Sequence, residues 1–507
     1  MTAVIGPPDE AFAGVAPERP ERAGGSIDEV RLEASLRELL GRRPAVGLAV
    51  GVVHGGRLAF FRGHGLADIR LGTPVTEDTV FRIGSVTKLF TAISVMQLWE
   101  QGRIDLDAPA NRYLRAYRLV PGQPGWRPAT VRHLLTHTAG LPEVVRFADL
   151  FHPGWGRFWD RPAIGSVRLG DPVPSLAAYY RRGLRLASEP GTALAYSGHG
   201  FATLGQIVED VAGQPFDGYL REHVFDPLGM DDTDVLRSDR IRSRLATGYD
   251  LGPHGPHAVT DREWIGPGGG AIYASTRDMA RFAGALLGGG GEQRPVLRRA
   301  TLATMLEPHY QPDPRLPGMG LAFFLGEAGG HRLAQHDGTM PGFHSALLLA
   351  PDDDLGIIGF TNGSGGAFAW LSIELGALLR EVLGAPADAV RRDIPQHPEI
   401  WADLCGRYRL PPRVSDLRGR LAMGLGIEVF VGRGRLMARM LTPIPALYRG
   451  FELHPDDAAD PYVFRFDLSH LGVPSVRAVF RQEPGLGATA IHTDLQSLSF
   501  FRRRTTP

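Results

Sequence analysis

Apolar and polar positions recur with different periods along the chain, and the changes of period mark its elements. Over residues 27–40, Val30, Leu32, Leu36, Leu39 and Leu40 fall at helical spacing with charges between them, which predicts an amphipathic helix. Residues 46–53 and 58–61 are short apolar runs, and His54-Gly55-Gly56-Arg57 between them reads as the turn of a β-hairpin. The run 88–102 consists of helix formers, apolar on nearly every face and ending at Gly102, so it predicts a buried helix. Between 105 and 335 the pattern is mostly helical, interrupted by proline and glycine. Residues 153–174 read as an irregular Pro-, Gly- and Trp-rich insertion, the kind of segment that walls a pocket. An extended stretch at 191–200 leads into a helix at 201–212, which puts Tyr196 at a loop-to-helix junction. Three strands follow at 331–336, 344–350 and 355–361, with Asp352, Asp353 and Asp354 in the turn before the last, and a helix at 367–383 closes the unit.

Strands at both ends with helices between them predict an α/β (α+β) domain, in which an antiparallel sheet is shared by the two ends and carries an inserted helical lobe. Residues 386–402 turn to Pro, Asp and Arg and read as a linker. Short strands at 427–431, 435–440, 462–468, 476–480 and 488–493 then predict an all-β module, sandwich or small barrel. The expected organisation is a flexible 1–25, a catalytic domain at 26–385, the linker, and a β domain at 403–507. A chain of 507 residues exceeds what one core supports, in keeping with that division.

Composition narrows the function classes. With 43% hydrophobic and 22% charged residues this is a soluble globular chain, and a formal net charge of zero provides no global field for nucleic acid or an anionic membrane. The arginines at 502–504 are a local, solvated cluster. Cys405 is the single cysteine, which excludes an internal disulfide and a cysteine-rich metal site. Residues 1–25 lack the apolar segment of an export signal, and no apolar run reaches the roughly 20 residues of a membrane span, so a cytoplasmic protein with an intracellular substrate is expected. His254 and His257 have no carboxylate spaced to join them and read as surface residues; no metal and no cofactor are expected.

The chemistry concentrates in Phe81-Arg82-Ile83-Gly84-Ser85-Val86-Thr87-Lys88. Lys88 is the only lysine in the sequence, and every other fixed cation is an arginine. A guanidinium stays protonated, whereas a desolvated ammonium can release its proton and act as a base. Ser85 and Lys88 stand at i and i+3 near a helix start and so share a face, where first-turn N–H groups are free to hold an oxyanion. The glycine-rich loops at 266–270 and 288–291 are not Walker loops, because that motif needs a lysine; a pyridoxal Schiff base could form only at Lys88.

These residues resemble the serine hydrolases of the penicillin-binding-protein and class C β-lactamase type, with their esterase, transesterase and peptidase relatives. Ser85-x-x-Lys88 is that group's first motif. Tyr196-Ser197-Gly198 and His336-Asp337-Gly338-Thr339 follow in the order of the second and third, and Val131-Arg132-His133-Leu134-Leu135-Thr136-His137-Thr138-Ala139-Gly140-Leu141-Pro142 is similar to a hallmark of the esterase branch. The resemblance covers about residues 30–385. It implies the β-lactamase-like fold, and the C-terminal module is similar to the lipocalin-like domains appended to some members.

The resemblance also assigns roles. Ser85 is the expected nucleophile, Lys88 its base, Tyr196 a proton carrier for the leaving group or a sharer of the base role with Lys88, and His336 a partner of the tyrosine or of a substrate carboxylate. The amides of Ser85 and Thr339 are the expected oxyanion hole, and Gly198, Asp337 and Gly338 lie along the substrate. Gly198 replaces the motif's asparagine, and His336 replaces its lysine. Both changes turn the expectation from β-lactams toward esters, thioesters or less typical amides. Small-molecule or peptidyl acyl donors, a carrier-protein-bound one among them, are the expected substrates. Transfer of the acyl group to an amine or alcohol is the alternative reaction, and a non-catalytic sensor or scaffold the alternative class.

Overall fold

The structure is a computed structural model that describes residues 27–143, 165–288, 295–386, 389–410, 424–443, 445–468, 475–484, 487–495 and 498–502. Helix α1 (Glu29–Arg42) starts where the Asp28 carboxylate accepts the Arg31 N–H at 3.0 Å, and it buries Leu32, Leu36 and Leu39. The main sheet contains β1 (Gly47–His54), β2 (Arg57–Asp68), β3 (Thr73–Pro74), β4 (Phe324–Ala328), β5 (His331–Met340), β6 (Phe343–Ala350) and β7 (Leu355–Thr361). It is antiparallel, in the order β4-β5-β6-β7-β1-β2-β3. The two ends of the domain meet at its centre, where Leu48 of β1 stands opposite Thr361 of β7 and His54 opposite Leu355.

Both faces of this sheet are covered, which is why its central strands read as unbroken apolar runs. Leu48, Val50 and Val52 pack with Leu36 of α1 and with Trp370 and Leu375 of α5 (Ala367–Leu383). Ala49 and Val53 face the opposite core, which holds Phe90 of α2 (Thr87–Glu100), Phe201 of α3 (Gly198–Ala212) and Phe282 of α4 (Thr276–Leu286). Every α2 residue from Thr87 to Met96 is buried, as its all-round apolar pattern predicts.

The helical lobe differs in detail from the sequence expectation. Its helices are linked by two-stranded ribbons: Leu119–Val120 with Leu184–Arg185, Ser166–Arg168 with Arg262–Trp264, and Tyr249–Gly252 with Gly255–Ala258. A further ribbon pairs Val80–Arg82 with Tyr273–Ser275. Strands of two to four residues are too short to display a period. The insertion expected at 153–174 lies outside the described residues up to 164, as do the N-terminal 1–25 and part of the loop at 288–291.

The C-terminal module is a closed barrel of eight strands in chain order, from Gly406–Arg409 to Ser499–Arg502, which pair with each other to complete the ring. Closure leaves no free sheet edge. It joins the first domain through Arg315, which lies 2.8 Å from Asp460, and through Leu316, which packs on Val463 and Val479. His254 and His257 are exposed on a hairpin. The turn at 351–354 is held by Asp353 to His331 at 2.9 Å and by Asp352 to Arg332 at 2.7 Å. Among the described residues no helix is long and apolar enough to cross a membrane.

Candidate active site

The strand Val80–Arg82 delivers the chain to a single 3-10 turn, Gly84–Val86, that continues directly into α2. Gly84 takes φ +50°, which glycine adopts without strain, and this sharp entry presents Ser85 ahead of the helix. One helical turn on, Lys88 Nζ lies 2.8 Å from Ser85 Oγ and donates to the Gly269 carbonyl at 2.7 Å. Only 1% of Lys88 is exposed. Burial disfavours its charged form and brings its pKa down to about 8, against the opposing pull of Glu143 and Asp337.

Gly269 does not stand out in the sequence, although its glycine run does. That run passes between α2 and α3 so tightly that a Cβ on Gly268 would lie 2.7 Å from the Phe201 carbonyl. Thr91 Oγ1 donates to the Gly268 carbonyl at 2.8 Å and fastens the loop beside Lys88. A glycine run without a phosphate motif is the available signal.

The third motif approaches from β5. Strand β4 pairs with β5 only as far as Gln335, so from His336 onward this edge of β5 is free to face the nucleophile turn. Pro341-Gly342 forms the turn between Met340 and Phe343, which are paired. Thr339 and His344, next along the ladder, are a non-hydrogen-bonded pair, and the Thr339 N–H points away from β6. A Cβ on Gly84 would lie 2.9 Å from Thr339 N, and one on Gly338 would lie 2.9 Å from Ser85 N and 2.1 Å from the Ile83 carbonyl. The two glycines thus bring the Ser85 and Thr339 amides side by side. Gly338 serves this backbone contact directly.

Tyr196 completes the constellation, with its ring centre 5.0 Å from Lys88 Nζ. Its ring lies 4.2 Å from that of His137, 6.3 Å from Phe324 and 6.2 Å from His336. His137 adopts φ +55° and accepts the Ser197 N–H on Nδ1 at 3.1 Å, which leaves its own proton on Nε2. His336 has the opposite tautomer: Nδ1 donates to the Asp337 carbonyl at 2.7 Å, and Nε2 carries the lone pair. Burial and the Lys88 charge keep both rings neutral, with His336 lowered to about 3. Neither Nε2 has a hydrogen-bond partner among the described residues, so of the two partners expected for His336 the tyrosine is met by ring contact and not by a hydrogen bond.

Gly198 opens α3, and its N–H is held by Glu143 Oε2 at 2.8 Å. Glu143 and His137 escape a sequence reading as functional residues. Their signal lies in the stretch ending at Pro142, which is recognisable without a role for each side chain. Burial pushes the Asp337 carboxyl up. The site therefore joins a hydroxyl, a buried amine of lowered basicity, a phenol and two adjacent amides, the groups that acyl transfer requires.

Comparison with known proteins places this geometry. The family model described as beta-lactamase matches residues 32–378. Esterase EstB of Burkholderia gladioli is 30% identical over 61% of this chain and 83% of its own length. The putative beta-lactamase-like 1 protein of Homo sapiens is 27% identical over 65% of this chain, and the match spans 63% of the human protein. The octameric penicillin-binding protein homologue from Pyrococcus abyssi shares the fold over 94% of this chain and 100% of its own, at TM-score 0.59 and 21% identity. EstCE1, a hydrolase with promiscuous acyltransferase activity, shares it over 70% of this chain and 97% of its own, at TM-score 0.53 and 21% identity. The chain belongs to the beta-lactamase family of serine hydrolases.

Proposed function

We propose that the protein hydrolyses an ester, thioester or amide through a covalent acyl-enzyme on Ser85. The observation that carries this reading is the 2.8 Å contact between Ser85 Oγ and a fully buried Lys88. Neutral Lys88 takes the hydroxyl proton as Ser85 Oγ forms its bond to the substrate carbonyl carbon. The oxygen that gains charge is held by the Ser85 and Thr339 amides. As the bond to the leaving group breaks, the proton on Lys88 passes through Tyr196 to that group, and an acyl-serine remains. Water then attacks the acyl carbon, its proton passing to the lysine–tyrosine pair and from there to Ser85 Oγ as the acyl–serine bond breaks, which frees the acid and restores the serine hydroxyl and the neutral lysine. His137 and His336, both neutral, pack against the tyrosine ring.

The acyl-enzyme reading is tested by treating the protein with a fluorophosphonate and mapping the adduct by mass. A single adduct on Ser85, absent from Ser85→Ala, is expected; an equal adduct in that variant overturns it. A second reading has an amine or alcohol take the acyl group in place of water. The promiscuous acyltransferase activity of EstCE1, a hydrolase of the same fold, favours keeping it. Product analysis with an ester donor in the presence and absence of added alcohol separates the two.

A further inference from the structure

Strand β6 carries a serine on an apolar face. Alternation along the strand sends Phe343, Leu347 and Leu349 into the core that holds Phe90 of α2, and Ala346, Leu348 and Ala350 to the opposite face, against α5. Ser345 falls in the first row and is 2% exposed, opposite Gly338 of β5 on one side and Phe360 of β7 on the other. A hydroxyl buried there gives up its water and packs no better than a methyl group, so it needs a partner. That partner is the carbonyl of Ile83, to which Ser345 Oγ donates at 2.6 Å across 262 residues of chain.

Ile83 immediately precedes the nucleophile turn. Its carbonyl also accepts the Val86 N–H at 3.2 Å, the bond that closes the turn, and its own N–H donates to the Ile272 carbonyl at 3.0 Å. The orientation of the Ile83–Gly84 peptide sets the path of the chain into Ser85, and with it the direction of the Ser85 amide. Gly84 does not fix that orientation by itself, since at φ +50° it occupies one of several regions that glycine adopts about equally well. A bond to the Ile83 carbonyl from outside the turn removes this freedom. The space for it is the one left by Gly338, where a Cβ would come within 2.4 Å of Ser345 Oγ and 2.1 Å of the Ile83 carbonyl.

We propose that Ser345 is a positioning residue for acyl transfer: by holding the Ile83 carbonyl it keeps the Ser85 amide beside that of Thr339, so that both meet the oxyanion as it forms. The role rests on the acyl-enzyme reading of Ser85. It is exerted through the backbone and involves no proton transfer by Ser345. An oxyanion hole stabilises charge only while its donors are held in place before the reaction, which is what a buried bond from the neighbouring strand supplies.

The test compares Ser345→Ala, which removes only the hydroxyl, with the isosteric pair Ser345→Thr and Ser345→Val, of which the first keeps it. Active sites in each preparation are counted by the fluorophosphonate bound to Ser85 at saturation, and kcat for an ester is expressed per site, so that unfolded protein does not enter the rate. Ser345→Ala is expected to lower kcat about 10-fold to 10²-fold with KM within about twofold of wild type. The Ki of a trifluoromethyl ketone, whose adduct with Ser85 bears the oxyanion, should rise by the same factor as kcat/KM falls. Ser345→Thr is expected to exceed Ser345→Val in kcat about fivefold or more. Wild-type kcat per site and unchanged Ki in Ser345→Ala overturn the proposal and leave the acyl-enzyme standing, and so does a loss confined to Tm or to the number of sites, which makes Ser345 a packing residue. Wild-type protein that takes no adduct on Ser85 overturns the acyl-enzyme reading and this role with it.

Discussion

Gly338 is set so close to the nucleophile turn that a Cβ there would lie 2.9 Å from Ser85 N and 2.1 Å from the carbonyl of Ile83, a backbone atom that cannot rotate away. Gly338→Ala must then push β5 off the turn and separate the Ser85 and Thr339 amides. Loss of one oxyanion donor typically lowers kcat about 10²–10³-fold, while overpacking of this kind costs about 1–3 kcal/mol of stability. Ester hydrolysis and a denaturant melt, measured on the same preparation, check both; a variant with wild-type kcat removes the oxyanion role of this contact.

Lys88 can serve as the proposed base only when neutral, and its pKa is lowered to about 8. Accordingly kcat/KM for a neutral ester is expected to rise about tenfold per pH unit below 8 and to level off above it. Lys88→Arg, whose charge cannot be shed, is expected to lose turnover while staying folded. A flat profile between pH 6 and 9 would sink the base assignment.

The same lowered pKa has a stability signature. Below pH 8 both folded and unfolded chains hold the proton and the folded state bears the whole cost of the buried ammonium; between 8 and 10.5 the folded state releases a proton that the unfolded chain still binds. Stability of the wild type relative to Lys88→Met should therefore increase from pH 8 to pH 10. Denaturant titrations of both proteins at the two pH values measure it, and a constant difference contradicts it.

His137 supports the site in two ways, by its ring against Tyr196 and by accepting the Ser197 N–H. His137→Ala removes both. It is expected to cost about 1–3 kcal/mol, from an unsatisfied buried donor. Misplacing Tyr196 by about 1 Å would also lower kcat about 10²-fold. His137→Asn can adopt the positive φ and offer an acceptor, so it should recover stability without recovering rate. Equal stability of the Ala and Asn variants would show that the backbone hydrogen bond is immaterial.

How far the sequence discloses this protein depends on the range of the interactions involved. The helix Ala367–Leu383 and the strand Leu355–Thr361 are legible to the residue, because the first is an apolar-rich stretch of helix formers between Gly366 and Gly384 and the second a short apolar run that follows an acidic turn. Strand β5 extends to Met340, beyond the end at 336 that alternation gives, because Asp337-Gly338-Thr339 offers no apolar side chain to continue the pattern. In the barrel, Gly406–Arg409 and Phe451–Pro455 are too short, and too interrupted by Gly and Pro, to stand out alone. Ser85 and Lys88 are visible as neighbours on one helix turn. The Gly269 carbonyl, 181 residues from Lys88, and His137, 60 from Ser197, join the site only through tertiary packing that no local period records.

Substrate charge follows from what the site lacks as a cation. A β-lactam or a C-terminal D-amino-acid substrate carries a carboxylate beside the scissile bond, and a lysine in the third motif would meet it; here the position is His336, neutral because burial and Lys88 lower it to about 3. Gly198 has no amide to hold an acylamino chain, and Glu143 adds a carboxylate at that helix start. The missing charged hydrogen bond is worth about 1.5–3 kcal/mol and the missing neutral one about 0.5–1.5 kcal/mol, so kcat/KM for p-nitrophenyl butyrate should exceed that for a chromogenic cephalosporin by about 10²-fold or more. His336→Lys restores a cation and should narrow the gap. The second ammonium, close to Lys88, should also move the alkaline rise of kcat/KM to lower pH, because like charges favour the neutral amine. If His336→Lys leaves both the substrate ratio and the pH profile unchanged, the neutral histidine is not what selects the substrate.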